Sequence, residues 1–419
     1  MNKSVSLIVP THNRCYSLKR LLDLVGIQTY PFNLLEVIIV GDGCTDETAV
    51  MLKQYNAPYS LLYLEQSGLG AATARNAGAA KARGEILIFL DDDIEPEAGL
   101  IKAHVQGHAG LNTVTIGYLP MPMPKKATFH QVSLARYWEQ KYSSMADVFY
   151  RYNYMDLLSG NFSVSAVLFN KVNKFDPQFR CREDYELGIR LIKAGADFIF
   201  LENARGLHRD EFTTLEKSFN RKREEGRADL QFAAKHPDLI HNSSIVSFSR
   251  KRRFGAKLLV YFTFNMPSAS DNIARSMPAL LRYYERKKYR TWYHQLNGKL
   301  NRYWYLRGIT DALKTEKELE YFIQKTMAAI EVDADKLRVD LNEGLKNSLS
   351  HLNQVRPHSI SIYLGNHFIG DVLPKPGYEP LKGKHLKPIL SNQFHEPLMQ
   401  ALMIEKIINR QFFNDPHGN

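Results

Sequence analysis

Residues 86–96 read ILIFLDDDIEP: five uninterrupted apolar residues, three aspartates, then Ile94. A short apolar run closed by polar residues marks a strand buried on both faces, as in a parallel sheet. The carboxylates begin where that strand stops. Upstream, residues 71–82 (AATARNAGAAKA) read as a small-residue helix ending before Gly84. Residues 60–64 (SLLYL) suggest a strand, and residues 35–40 (LEVIIV) another, ending in Gly41-Asp42-Gly43 before a helix to about Tyr55. Residues 5–9 (VSLIV) form the first strand, broken by Pro10 and Asn13, and helical spacing resumes over 17–25. Strands alternating with helices predict an α/β fold, a mostly parallel sheet with helices on both faces. Ligands of such sheets bind beyond the carboxyl ends of the strands, so one crevice is expected to gather Pro10, Thr11, Asp42, Asp91, Asp92 and Asp93.

The chemistry expected of that crevice is nucleotide and metal binding. Magnesium and manganese prefer oxygen ligands, and magnesium typically takes one or two carboxylates with phosphate oxygens and water. Asp91 and Asp93, two apart just past a strand, suit one contact to a ribose and one to a metal; a solvated acidic loop is the plain alternative. Asp42 is placed to accept from a base or ribose, or to form the turn it sits in. Arg75 and Asn76 lie in a helix, where Arg75 serves either a structural salt bridge or a nucleotide. Glu183 and Asp184 open a helical run that stops at Gly195. Carboxylates there are favoured by the helix dipole, and a positioned carboxylate also serves as a general base. His208, twenty-four residues beyond Asp184, is either structural or a neutral-nitrogen metal ligand.

Composition bounds the rest. With 419 residues, 44% hydrophobic, the chain can bury a large core and hold two or three domains. No apolar stretch is long enough to span a bilayer, and no secretion signal is evident at the N-terminus. Cys15, Cys44 and Cys181 lack metal-like spacing and are too few for a disulfide scaffold, which suits a reducing, cytoplasmic setting. A net charge of +11 fits nucleic acid, an anionic membrane or a phosphorylated ligand.

Six patterns in one order sharpen this reading: VSLIVPTHNR (5–14), VIIVGDGCTDET (37–48), ARNAGAAKARG (74–84), ILIFLDDDIEP (86–96), SGNFSVS (159–165) and REDYELGIRL (182–191). Together they resemble family 2 glycosyltransferases, inverting enzymes of the GT-A fold, over roughly residues 3–240. The resemblance implies that Pro10, Thr11, Asn13 and Arg14 start a nucleotide pocket, that Asp42 contacts the base, and that Arg75, Asp91 and Asp92 lie at the nucleotide sugar. Asp91 and Asp93 match the family's D-x-D motif, with Asp93 the better metal ligand and His208 completing the site around Mn2+ or Mg2+. Gly160, Asn161 and Glu183 fall beside the sugar and acceptor, and Asp184 matches the catalytic base. The chain departs from the family at Gly41, where an acid is usual, at Cys44 in place of serine, and at residues 172–176 (VNKFD), which replace Gly-Gly-Phe-Asp while keeping Phe175. The Gln-x-x-Arg-Trp motif of processive synthases is absent from the sequence.

Downstream, residues 214–234 read as a charged helix pair, with Arg221, Lys222 and Arg223 on a solvated face or at a diphosphate. A basic cluster at 249–253 leads into the apolar run 254–264, and RYYERKKYR (282–290) and RYWYLR (302–307) are similarly basic and aromatic. These segments suit either helices packed on the catalytic domain or peripheral contact with an anionic membrane at its inner face. Leu337, Leu341, Leu345, Leu349 and Leu352 read as one helix face, residues 359–373 as a hairpin about Gly365-Asn366, and residues 397–412 as a last helix.

The expected organisation is a GT-A-like catalytic domain (1–245), a helical segment (246–355) and a small C-terminal α/β module (356–419). The expected function is divalent-metal-dependent, inverting transfer of a sugar from a nucleoside-diphosphate sugar, a UDP-sugar foremost, to a hydroxyl of a carbohydrate or lipid-linked acceptor. The alternatives are a sugar-1-phosphate nucleotidyltransferase, or a binding protein on a degenerate transferase fold. The scattered basic helices contain no nucleic-acid module, so no nucleic-acid partner is expected.

Overall fold

The computed structural model describes residues 3–209, 214–248, 254–329 and 336–413. It divides into two compact units, Met1–Ser143 with Tyr154–Ile330 and Ser144–Asn153 with Glu331–Asn419. In the first unit, β1 (Val5–Thr11), α1 (Cys15–Val25), β2 (Leu35–Asp42), α2 (Thr48–Gln54), β3 (Ser60–Gln66), α3 (Ala71–Lys81) and β4 (Ile86–Leu90) alternate as the sequence predicts. The strands β5 (Ile94–Pro96), β6 (Thr113–Tyr118), β7 (Asn161–Ser165) and β8 (Asp197–His208) complete the sheet. Helices α4 (Leu100–Gly107), α5 (Phe129–Ala146), α6 (Ala166–Lys171), α7 (Glu183–Lys193) and α8 (Leu215–Lys235) are interspersed with them.

The eight strands run in the order β3-β2-β1-β4-β7-β6-β8-β5. β3, β2, β1 and β4 run parallel to one another, as do β6 and β8, while β7 pairs antiparallel with β4 and β6, and the short β5 antiparallel with β8. Every residue of β4 is buried, which is why its sequence is a pure apolar run. The chain moves outward from β1 to β2 and β3 on one side and to β4 on the other. The crevice at that switch point opens at Thr11, Asp42 and Leu90. Helix α3 lies on β1 and β2 through Gly78, where an added Cβ would stand 2.6 Å from Ile8.

Residues 214–234, read as a helix pair, form the single helix α8. Its interior glycine, Gly226, is no break. It packs against the helix that carries Tyr305, and a Cβ there would lie 2.1 Å from the Tyr305 carbonyl oxygen. The reciprocal glycine, Gly308, would place a Cβ 1.9 Å from the Arg223 carbonyl oxygen. The helices α9 (Phe254–Asn265), α10 (Pro267–Arg286), α11 (Arg290–Ala312) and α12 (Glu316–Ala328) fall in the first unit. No helix of the described residues is long and apolar enough to cross a membrane. The basic cluster 249–253 lies outside the described residues.

In the second unit, β9 (Leu337–Asp340) pairs parallel with β10 (Ile360–Leu364), which pairs antiparallel with β11 (His367–Val372). Helices α13 (Leu345–Val355), α14 (Gly383–Asn392) and α15 (His395–Phe413) accompany them, over a core of Leu352, Ile360, Ile362, Leu364 and Leu386. The hairpin forms at Gly365-Asn366 as expected, whereas the leucine series does not make one helix. Leu337 is in a strand, and Gly344, at φ +93°, separates Leu341 from α13. A conformation open to glycine alone overrides the four-residue spacing.

Candidate active site at the carboxyl ends of β1, β2 and β4

Each predicted segment reaches the crevice in its own way. Pro10 and Thr11 end β1, paired with Val40 and Gly41 of β2. Thr11 Oγ1 donates to Asp92 Oδ2 at 2.7 Å, tying the end of β1 to the acidic triplet. Asn13 adopts a left-handed φ of 53°, and its side-chain oxygen accepts from the Thr45 and Asp46 amides at 2.7 and 3.2 Å. His12 Nδ1 sits 2.6 Å from the Asp42 carbonyl oxygen. The segments after β1 and β2 are thus stitched into one wall.

Asp42 holds the neighbouring loop. Its carboxylate accepts from Gln66 Nε2 and the Leu69 amide through Oδ1 (2.7 and 2.6 Å), and from the Gly70 amide through Oδ2 (2.9 Å). The backbone alternative seen in the sequence is therefore real, though the turn it shapes is 66–70 rather than its own. The place of the missing acid at Gly41 is taken by Tyr63, whose hydroxyl would lie 2.6 Å from a Cβ there.

Arg14 spans two aspartates, with Nη1 3.0 Å from Asp92 Oδ1 and 2.5 Å from Asp93 Oδ2. Burial pushes Asp92 up to about 6 in spite of Arg14 and Thr11. Burial opposes ionisation of Asp93 as well. There His208 and Arg14 outweigh it and hold the carboxylate below its ordinary range.

Arg75 is the hinge of the site. It is buried, donating from Nη2 to Asp91 Oδ1 at 2.7 Å and from Nη1 to Glu183 Oε1 at 3.1 Å, with its guanidinium 5.5 Å from the Phe175 ring centre. The salt bridge weighed for Arg75 is present, and it joins the end of β4 to the start of α7. Asn76, next in sequence, clamps Phe175 by donating to its carbonyl at 2.8 Å and accepting from its amide at 3.0 Å. Phe175 survives without the family's glycines because Asn173 and Lys174 themselves take left-handed φ values of 60° and 59°.

Glu183 and Asp184 occupy the first turn of α7, after Arg182 at a left-handed φ of 67°. Asp184 Oδ1 accepts from the Tyr185 amide at 2.8 Å and so satisfies one first-turn N–H, although the N-cap position is Arg182, which makes no side-chain capping bond. Burial raises both carboxyl groups, and the charge of Asp184 adds to the rise at Glu183; Arg221 leads the groups that restrain Asp184. Adjacent carboxyls of this kind titrate as a pair. Arg182, which the sequence did not single out, braces the turn: it bonds Glu225 and Asp229 of α8 at 3.1 Å each and lies 4.6 Å over the Tyr185 ring. Its only signal is its position before the acidic pair.

Gly160 borders Asp91. Its carbonyl accepts from the Asp91 amide at 3.1 Å, and a Cβ at this position would stand 3.1 Å from Asp91 Oδ2. Asn161, expected beside the sugar, instead turns its side chain into the core. Its Oδ1 lies 2.8 Å from His104 Nε2, and its Nδ2 donates to the Ala204 carbonyl at 2.9 Å. Strand alternation explains this: residue 160 precedes β7 and faces the crevice, while residue 161 begins β7 pointing inward. The charge run on α8 is also bound up, with Arg223 on Asp311 and Lys222 on Glu225.

For a divalent cation, Asp93 and His208 are the fitting pair. Asp93 Oδ1 is buried and takes no hydrogen bond, and His208 Nε2 stands 3.5 Å from it. Two donors each about 2.1 Å from one ion stand roughly 3 to 3.6 Å apart, depending on the angle between them. Among the described residues, no cluster of three or more His, Cys, Asp or Glu is disposed to hold a metal alone, so other ligands would come from phosphate and water.

Comparison with known proteins places residues 6–172 within the model of the family described as glycosyl transferase family 2. Glycosyltransferase AglE of Haloferax volcanii is 32% identical over 115 residues, 27% of this chain and 38% of that protein. An uncharacterized glycosyltransferase of Haemophilus influenzae is 40% identical over 89 residues, 21% of this chain and 29% of that protein. The chain spans 38% of the length of AglE and 26% of that of a validoxylamine A glucosyltransferase of Streptomyces hygroscopicus. A mannosyltransferase from Pyrobaculum calidifontis, solved with GDP-Man and Mn2+, aligns with a TM-score of 0.48 and 17% identity over 74% of this chain and 88% of that one.

Proposed function

We propose that this chain, whose residues 6–172 carry the glycosyl transferase family 2 pattern, transfers a sugar from a nucleoside-diphosphate donor to a hydroxyl acceptor with inversion. The observation that carries the reading is Arg75, whose one guanidinium binds both Asp91 of the D-x-D segment and Glu183 of the acidic pair. That contact supports the reading by joining the carboxylate proposed for the donor side to the one proposed for the acceptor side.

Asp93 and His208 would hold the Mn2+ or Mg2+ ion, and the bound ion would offset the charge developing on the departing diphosphate. Pro10, Thr11, Asn13 and Arg14 frame the nucleotide side. Asp42 keeps the 66–70 loop in place and has acceptor capacity left for a base or ribose. Asp91 faces the ribose and sugar, whereas Asp92, expected there too, is buried with its two oxygens on Thr11 and Arg14 and braces the loop that presents its neighbours. Asp184 removes the acceptor's proton as its oxygen approaches the anomeric carbon from the face opposite the diphosphate, which inverts that carbon. Glu183, sharing its charge with Arg75, orients the pair. Gly160, lacking a side chain, lets Asp91 lie close against the backbone on the sugar side, and Asn161 supports that strand from the core. A UDP-sugar is the donor of choice and a carbohydrate or lipid-linked sugar the acceptor, in a cytoplasmic enzyme working at a membrane surface.

Calorimetric titration with UDP, GDP and dTDP, each with Mn2+ and with chelator, tests this reading. Metal-dependent binding of one nucleotide supports it and names the base. A folded sample that binds none of them overturns it.

A further inference from the structure

Residues 250–307 carry fourteen Lys and Arg against only Asp271 and Glu285. The whole chain has a net charge of +11, so this segment holds all of it and the rest is near neutral. Both acids are engaged internally: Asp271 accepts from Tyr303 and Arg307, and Glu285 from the Phe129 amide. Among the described residues of this segment, the charge turned outward is basic. Arg286, Lys287, Lys288 and Arg290, all exposed, crowd the tip between α10 and α11.

Behind that tip lies an apolar trough. Helix α9 (FGAKLLVYFTFN) is apolar around most of its circumference, which ordinarily means burial on all sides. Here Val260 and Thr263 are buried, yet Leu258 and Phe262 remain 41% and 44% exposed, and Ile273 of α10 is 63% exposed. Between α9, α10 and α11 these side chains border a cavity of about 450 Å³, with Lys299 on its wall. Trp292, 63% exposed, is seven residues from Lys299 and so shares its stripe of α11. An indole beside lysines at the edge of an apolar surface is the composition of a bilayer interface.

The charge selects the occupant. A second copy would bring the same cationic segment against this one, a like-charge juxtaposition costing several kcal/mol. A single-stranded nucleic acid needs a series of exposed aromatic platforms for successive bases, whereas Phe262 is the one exposed aromatic side chain among the trough's lining residues, Tyr303 is buried, and Leu258, Leu259, Ile273 and Met277 make the rest aliphatic. An anionic phospholipid satisfies both parts, with its chain in the trough and its phosphate at the cations.

We propose that the α9–α11 trough docks this protein on an anionic phospholipid bilayer, taking up one acyl chain while Lys299 and the basic hairpin tip engage the headgroups. The inference stands on charge and exposure and does not depend on the transferase reading.

Vesicle flotation of the full chain tests it, using phosphatidylcholine with and without phosphatidylglycerol. The wild type is expected on the anionic vesicles and not on the neutral ones. The Leu258→Asp/Ile273→Asp variant, altered at exposed positions, and the tip variant Lys287→Glu/Lys288→Glu should each bind roughly tenfold more weakly, with wild-type thermal melts. Absence of wild-type binding to anionic vesicles overturns the proposal. So does undiminished binding of the Leu258→Asp/Ile273→Asp variant, which would mean adsorption by charge alone. A solution dimer, or binding of a single-stranded oligonucleotide, that this same variant abolishes would assign the trough to those occupants instead. If Leu258→Asp/Ile273→Asp melts early, the tip variant decides, and its unchanged binding is equally fatal.

Discussion

His208 Nε2 stands 3.5 Å from Asp93 Oδ1, a buried carboxylate oxygen that takes no hydrogen bond. One comes from the end of β8 and the other from the loop after β4, more than a hundred residues apart in the chain. His208 is the basic group that faces this oxygen, and a cation held between the two would give both a closer contact than 3.5 Å allows.

The first prediction follows from that pair. His208→Ala and Asp93→Asn should each weaken Mn2+-dependent nucleotide binding by about tenfold or more, measured by calorimetry. Residual binding in chelator should be unchanged. Wild-type Mn2+ dependence in both variants would remove the pair from the metal site.

Asp184→Asn should lower turnover by roughly 10²- to 10⁴-fold, the usual worth of a general base, while sparing donor affinity. Parallel measurements of kcat and of nucleotide binding separate the two. A variant with near-full turnover would strip Asp184 of its role as base.

The acidic pair also sets a pH dependence. Burial and the Asp184 charge push Glu183 up to about 7, and burial raises Asp184 as well. The folded chain then holds protons that the unfolded chain has released. This part of the stability is full below the ordinary carboxylate range and is lost as pH rises toward 7. Activity needs the ionised base and should rise across the same interval. Glu183→Gln should lower the acid limb of the kcat/KM profile and flatten the fall in Tm. An acid limb at the ordinary carboxylate range in the wild type would contradict the assignment.

Arg75→Ala leaves Asp91 and Glu183 without their shared cation, and loss of one partner of a buried ion pair costs about 3 to 5 kcal/mol. Arg75→Lys keeps the charge without the fork that reaches two carboxylates, and should recover only part of that loss. Urea unfolding midpoints of the three proteins give the comparison.

Much of the crevice was legible because its strands are buried on both faces. β1, β2 and β4 announce themselves as apolar runs, and Asp42 and the aspartates follow at their ends. Sequence could not supply register. The bond from Thr11 to Asp92, and the double pairing of Arg14, exist because β1 and β4 lie side by side with Ile8 opposite Phe89. Asn161 was misplaced for the same reason, since its neighbour Gly160 faces the crevice while Asn161 completes a polar layer with His104 that nothing local encodes. The leucines of 337–352 show periodicity failing where a single backbone angle, at Gly344, governs.

The backbone-to-backbone fit of α8 on α11 at Gly226 and Gly308 has one more consequence. α8 holds Arg182 at the start of α7, and α11 forms a wall of the trough, so a close-packed helix pair links the turn of Asp184 to Lys299. With the proposed docking and the proposed base both in place, that packing would fix the height of Asp184 above the bilayer, so that a hydroxyl tethered to the membrane would be selected by its reach as well as by its chemistry.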